Sequence, residues 1–276
     1  MIRLKLARSH DPVRRKIAMD PSIEIPQPVL YQQGPAGAAA IAAPAHRGYV
    51  APGLALITLL LLLDVALVLV RRHFGHMQNY HFIPWNLFLA CVPYGVSLGV
   101  ALLQRCWPRR RWLRPLAVVA LLPLYALWLL FLPNAPYLLT DVAHVENQTP
   151  LQLWYDSLML GIYAVTGYAL AIASLAIMQR PVRALLGWRG GWLFALVCCF
   201  LAGVGVHLGR AERYNSWDVL GQSRAVLADV ADRLVHPYDH PHTMFDALSY
   251  AALLLLGYVA YLTLSSKDAR ALLLTR

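Results

Sequence analysis

The sequence predicts an all-α, polytopic membrane protein: a bundle of six transmembrane helices with short interfacial helices on its outer face. Three observations predict it. Of 276 residues, 59% are hydrophobic and only 14% charged, against roughly 45–50% and about 25% in soluble domains. The apolar residues gather in six runs, each close to the roughly 20 residues that cross a bilayer core. Lysines and arginines fall between the runs in alternating heavy and light groups. The mean hydropathy of +0.51 excludes a disordered, fibrous or ordinary soluble chain.

Residues 1–50 read as a mobile basic arm. They hold Arg3, Lys5, Arg8, Arg14, Arg15 and Lys16 and then a Pro/Gly/Ala-rich stretch. Ala36 to Ala43 is too short and too weakly apolar for a signal peptide. Arg14 and Arg15 lack the hydrophobic segment of a twin-arginine signal, and Met19 offers a second start. The six runs follow at 51–70, 85–103, 113–132, 151–178, 192–208 and 245–264. In lipid they must be helices, because backbone polar groups find no water there. They make a membrane domain over 51–266, followed by a short cytoplasmic tail, 267–276. No internal repeat supports an inverted-repeat transporter.

Charge sets the orientation. The net charge is +10, but the basic residues sit in short connectors rather than along a phosphate-tracking groove, so no nucleic-acid partner is expected. The arm, the connector at 105–114, the connector at 180–189 and the tail hold eighteen of the 24 lysines and arginines. The alternate connectors hold only Arg71, Arg72, Arg210, Arg213, Arg224 and Arg233. The positive-inside rule places both termini in the cytoplasm.

Cys91, Cys106, Cys198 and Cys199 show neither a disulfide framework nor zinc-ligand spacing. Cys198 and Cys199 read as small core or lipid-facing residues.

The three outward connectors carry nearly all the unusual polar residues. In the second, Pro133 and Pro136 stop the third span, and Asn134 is placed to cap a new short helix. On that helix Tyr137, Asp141 and His144, spaced i, i+4, i+7, share one stripe. The fourth span opens on Thr149-Pro150-Leu151-Gln152, a capping-box pattern with proline at the first helical position. Asp156 follows about two turns inside that span, and Asp64 lies deep in the first. Carboxylates at such depth usually face the bundle interior and have a partner; Arg210 and Arg213 are candidates. In the third connector Asn215 and Asp218 read as capping residues of a helix. Its apolar face is Val226, Leu227, Val230 and Leu234, opposite Asp229, Asp232 and Arg233. His73, His76 and His81, and His236, Asp239, His240 and His242, read as solvated loop residues. Trp85, Trp154 and Trp217 mark the outer boundary. Gly205 and Gly209 form a small-xxx-small packing pair.

Two blocks carry a resemblance. Phe131-Leu-Pro-Asn-Ala-Pro-Tyr-Leu-Leu-Thr-Asp-Val-Ala-His144 with Trp154-Tyr155-Asp156, and Arg213-Tyr-Asn-Ser-Trp-Asp-Val-Leu220, resemble the two signatures of a family of bacterial integral membrane proteins classed as a domain of unknown function. The resemblance covers roughly 55–265. It implies a bacterial inner-membrane location and brings no activity.

The expected site is therefore outward-facing. Asp141, His144 and Asp156 are the candidate catalytic groups, since a carboxylate and an imidazole at i, i+3 can share a proton or ligate a metal. The competing structural reading is a hydrogen bond tying two outer connectors together. Asn134, Tyr137, Arg210, Arg213, Asn215 and Asp218 are the candidate ligand-binding groups, with the arginines able to clamp an anion or to neutralise Asp64, Asp156 or Asp218. The substrate expected is an anionic lipid or lipid-linked head group. No cofactor is named by the residues, and no metal is assigned. Two alternatives stand beside it. One is a small-solute permease or channel with Asp64 and Asp156 as an intramembrane relay. The other is a non-enzymatic envelope assembly subunit.

Overall fold

The computed structural model describes residues 47–74, 80–105, 114–144, 150–221 and 223–265. The basic arm up to 46, Cys106, His76 and the tail lie outside the described residues. Within them the chain is helical throughout: α1 (Arg47–Phe74), α2 (Phe82–Arg105), α3 (Arg114–Phe131), α4 (Asn134–Tyr137), a 3₁₀ turn (Thr140–His144), α5 (Pro150–Ala211), α6 (Asp218–Gly221), α7 (Ser223–Val235) and α8 (Pro241–Leu264). Five of these segments are long and apolar enough to cross a membrane.

The longest, α5, has 62 residues. Straight, it would reach about 93 Å, three times a bilayer core. It does not run straight. Gly187 sits at φ 73°, ψ −173°, in the left-handed region that only glycine enters without strain. Gln179 Nε2 then donates to the Gly191 carbonyl at 2.9 Å. In a straight helix those residues would be about 18 Å apart, so the chain folds back and α5 consists of two arms, 150–186 and 188–211. The predicted fourth and fifth runs are these arms.

Lipid tails are as apolar as leucine, so close backbone approach and polar pairing hold such helices together. At one end, Gln179 is the clasp: besides Gly191 it takes the Tyr258 hydroxyl from α8, and Tyr125 of α3 donates to the Met178 carbonyl next to it (2.9 Å). Trp128 of α3, wholly buried, stacks on Phe194 of the second arm. Helix α1 packs by one stripe only. Ile57, Asp64 and Arg71 are buried, each two turns beyond the last, while Leu56, Leu59, Leu62 and Leu69 are exposed.

At the opposite end, α3 breaks where the prolines predict. The break is a wedge between the two arms of α5. A Cβ on Gly167 of the first arm would strike the Ala135 carbonyl oxygen and the Leu138 side chain, and one on Gly205 of the second would strike Pro133. Gly209 packs against the Tyr137 ring. Gly205 and Gly209 are thus packing residues, as their spacing suggests. Asn134, however, does not cap. Pro133 occupies the N-cap position, and the Asn134 amide bonds elsewhere. Nor do Tyr137, Asp141 and His144 share one helix: α4 ends after a single turn and the chain tightens into 3₁₀ geometry.

Helix α7 also differs from its predicted face. Val226 and Arg233 are buried, whereas Leu227 and Leu234 are exposed. Arg233 is drawn inward by partners from other elements, Glu212 at 2.7 Å and Thr243 at 2.7 Å, and it also bonds its own-helix Asp229 at 3.1 Å. Cys198 and Cys199 are both buried.

Candidate functional site

The broken end of the bundle holds two polar arrangements. The first is a cavity of about 710 Å³ between the start of α2, the end of α3, the second arm of α5 and α7. Leu129, Leu201, Val204 and Val226 are among its apolar wall; Asn134, Tyr137, Arg210, Arg213 and Asn215 supply its polar edge. Five of the nine predicted site residues therefore meet at one concave surface.

Local chemistry explains the edge. The second arm of α5 ends at Ala211, and the chain turns out through Arg213, whose φ of 59° is the one left-handed value at a described non-glycine residue. The turn closes with the Tyr214 N–H returning to the Leu208 carbonyl (3.3 Å). Such a conformation costs an ordinary residue roughly 1–2 kcal/mol, and glycine is the common occupant at a helix end. Among the described residues, neither Arg210 nor Arg213 makes a hydrogen bond or an ion pair, and both are exposed. Next to them the loop is tied down. Asn134 Nδ2 donates to the Phe131 carbonyl (2.9 Å) and to Ser216 Oγ (2.8 Å), which donates to the Leu130 carbonyl (3.1 Å). The Asp218 carboxylate accepts the Asn215 backbone N–H at 2.6 Å and its side-chain amide at 3.3 Å. Asp218 thus closes the turn that Asn215 opens. Trp85 at the rim meets Trp217 edge-on at 5.9 Å.

The second arrangement is buried. Arg71 grips Asp156 through Nε to Oδ1 (2.6 Å) and Nη2 to Oδ2 (3.2 Å). The Tyr80 hydroxyl donates to the same carboxylate at 3.0 Å. Asp156 is wholly buried, so a compensating cation is required. Its partner is Arg71 rather than either expected arginine, and the carboxylate is committed to that bidentate pair. Asp141 is also buried and accepts Asn86 Nδ2 at 3.1 Å. Asn86 lines the cavity, so Asp141 stands one hydrogen bond behind its wall. The His144 side chain lies outside the described residues; its backbone ends the 3₁₀ turn.

A third network was not legible at all. Arg233 can only donate, so Thr243 Oγ1 accepts from it and passes its own proton toward His207 Nε2 (3.0 Å). That leaves an N–H on Nδ1 for the Asp246 carboxylate at 2.7 Å. The order acid, imidazole, hydroxyl resembles a nucleophile arrangement, but Thr243 is 1% exposed, and a nucleophile must reach its substrate. The signal in the sequence was a histidine and an aspartate at the edges of two apolar runs. Outside the bundle, His240 and His236 flank Asp232 at 2.9 Å each and hold its carboxyl below the usual carboxylate range.

Long apolar helices around buried polar knots, with a cavity edged by two arginines, define an all-helical membrane protein. The family follows from the sequence itself: the model of the family described as "Protein of unknown function (DUF1361)" matches residues 85–258. The chain belongs to that family. No curated protein and no solved structure matches it.

Proposed function

We propose that the protein is a six-span, inner-membrane protein of bacterial type that binds an anionic lipid or lipid-linked head group in the arginine-edged cavity, reached from the outer leaflet. The alternation of basic connectors supports this orientation, with both termini in the cytoplasm. One observation carries the binding reading. Arg210 and Arg213 present charge with no hydrogen bond or ion pair among the described residues, at the edge of a cavity whose wall also offers the apolar side chains Leu129, Leu201, Val204 and Val226. A ligand fits that surface when it has a negative group for the guanidinium forks and hydrocarbon for the wall. Acid–base chemistry is not part of this reading, because Asp156 is bonded to Arg71 and Asp141 stands behind Asn86.

Titration of a short-chain phosphatidylglycerol, followed by isothermal calorimetry on the detergent-purified protein, tests it. Arg210→Gln and Arg213→Gln are each expected to weaken binding by several-fold to about tenfold, with a smaller loss at high salt because both side chains are exposed. Arg213→Gly separates charge from backbone: it relaxes the left-handed turn and should raise the melting temperature while losing the same affinity. Inorganic phosphate bound as tightly as the lipid would show that the apolar wall is not used. Unchanged affinity in both glutamine variants would overturn the reading.

A further inference from the structure

Asp64 belongs to neither of these arrangements. It sits in the middle of α1 on the buried stripe, 1% exposed. Among the described residues, nothing donates a hydrogen bond to either of its carboxyl oxygens. Thr166 of α5 lies beside it, but its hydroxyl proton goes to the Ile162 carbonyl at 3.0 Å. Among the described residues, the titratable groups that interact with Asp64 are Cys91 from α2 and Tyr163 from α5. On its own helix the next is Arg71, seven residues and about 10.5 Å further along, bound to Asp156. None of these groups delivers a positive charge to Asp64.

An ionised carboxylate needs donors, a cation or water, and a dry bundle interior makes an uncompensated one prohibitively costly. The neutral acid meets the difficulty with one proton and no rearrangement. We propose that Asp64 is a proton-binding site: a carboxylic acid that carries its proton at neutral pH inside the bundle, independently of whether the arginine-edged cavity is occupied. Tyr163 interacts with both Asp64 and the buried Asp141, and its hydroxyl donates to the Ile83 carbonyl at 3.3 Å. The lipid-facing neighbours Leu62, Leu63 and Val65 are exposed, so a membrane-soluble reagent can approach the site from the bilayer.

Two readouts on the full-length protein in lipid at pH 7 test the proposal. Infrared spectroscopy should show the carbonyl stretch of a protonated carboxylic acid. That band should shift when aspartate is labelled with 13C at the carboxyl, and should disappear in Asp64→Asn. Dicyclohexylcarbodiimide reads the same proton chemically. The carboxyl oxygen adds to the central carbon of the reagent, the acid proton moves to its nitrogen, and an acyl shift gives a stable N-acylurea with nothing lost. Peptide mapping should place that adduct on Asp64 and not on Asp156. This second measurement uses wild-type protein, so it decides even where Asp64→Asn fails to fold. Absence of the labelled acid band at pH 7, its persistence in Asp64→Asn, or an adduct confined to other carboxyls would overturn the proposal. A sodium ion in place of the proton would leave the carboxylate ionised and give that first negative result.

Discussion

Replacing Asp156 with asparagine is expected to destabilise the protein by about 3–5 kcal/mol, the cost of leaving one member of a buried ion pair behind. Asparagine has the same shape, so packing barely changes. What changes is that Arg71, only 7% exposed, loses the carboxylate that takes both its Nε and Nη2 protons. Tyr80, which donates to the same carboxylate, cannot replace it, because a phenol carries no neutralising charge. The loss falls mainly on α1, whose buried stripe is Ile57, Asp64 and Arg71. Arg71→Met should cost a similar amount, since it strands Asp156 instead. The double variant Arg71→Met/Asp156→Leu should recover most of either loss, because two apolar residues of similar volume remove both desolvation penalties together. Thermal or denaturant unfolding of the wild type, Arg71→Met, Asp156→Leu and the double variant in one detergent gives the cycle. Additive losses would mean that the two side chains do not act as a pair.

That pair also marks where sequence reasoning stops. The cost of a buried carboxylate is local, so Asp64 and Asp156 could be assigned to the bundle interior from their runs alone. The identity of a partner is not local. Arg71 lies 85 residues before Asp156, and charge counting placed six arginines on the same side without a distance to choose among them. The break after α3 was legible because proline acts on its own turn. The stripe beyond it was not. Tyr137, Asp141 and His144 align only at 3.6 residues per turn, and the segment is one α-turn followed by a 3₁₀ turn with a different phase. Leu138, between the two turns, is fully buried against Gly167. Arg233 misled for a related reason. Its charge argued for solvent, but Glu212 and Thr243 come from other elements and satisfy its guanidinium inside. The helical arm of α5 likewise runs past the end of the apolar run at Met178, because hydropathy reports lipid contact and not backbone hydrogen bonding.

Gly167 should respond to a single methyl group as strongly as most core positions respond to a large truncation. Its hydrogen faces the carbonyl of Ala135 and the side chain of Leu138, and an added Cβ would overlap both. A flexible side chain could swing away. Backbone in the Pro133–Tyr137 wedge cannot, because Pro133 is held against Gly205 on the other arm and Asn134 is fastened to Ser216. Gly167→Ala is therefore expected to cost about 3 kcal/mol, at the upper end for overpacking. It should also open the cavity edge, because Tyr137 and Asn134 move with the wedge. Gly161, two turns earlier on the same arm, meets nothing within 4 Å of an added Cβ. Gly161→Ala should instead stabilise by about 0.5–1 kcal/mol through the lost flexibility of a helical glycine. Opposite signs in parallel unfolding curves would show that the wedge, rather than glycine content, sets the requirement. Equal signs would mean that α5 and the wedge do not press together as closely as this geometry demands.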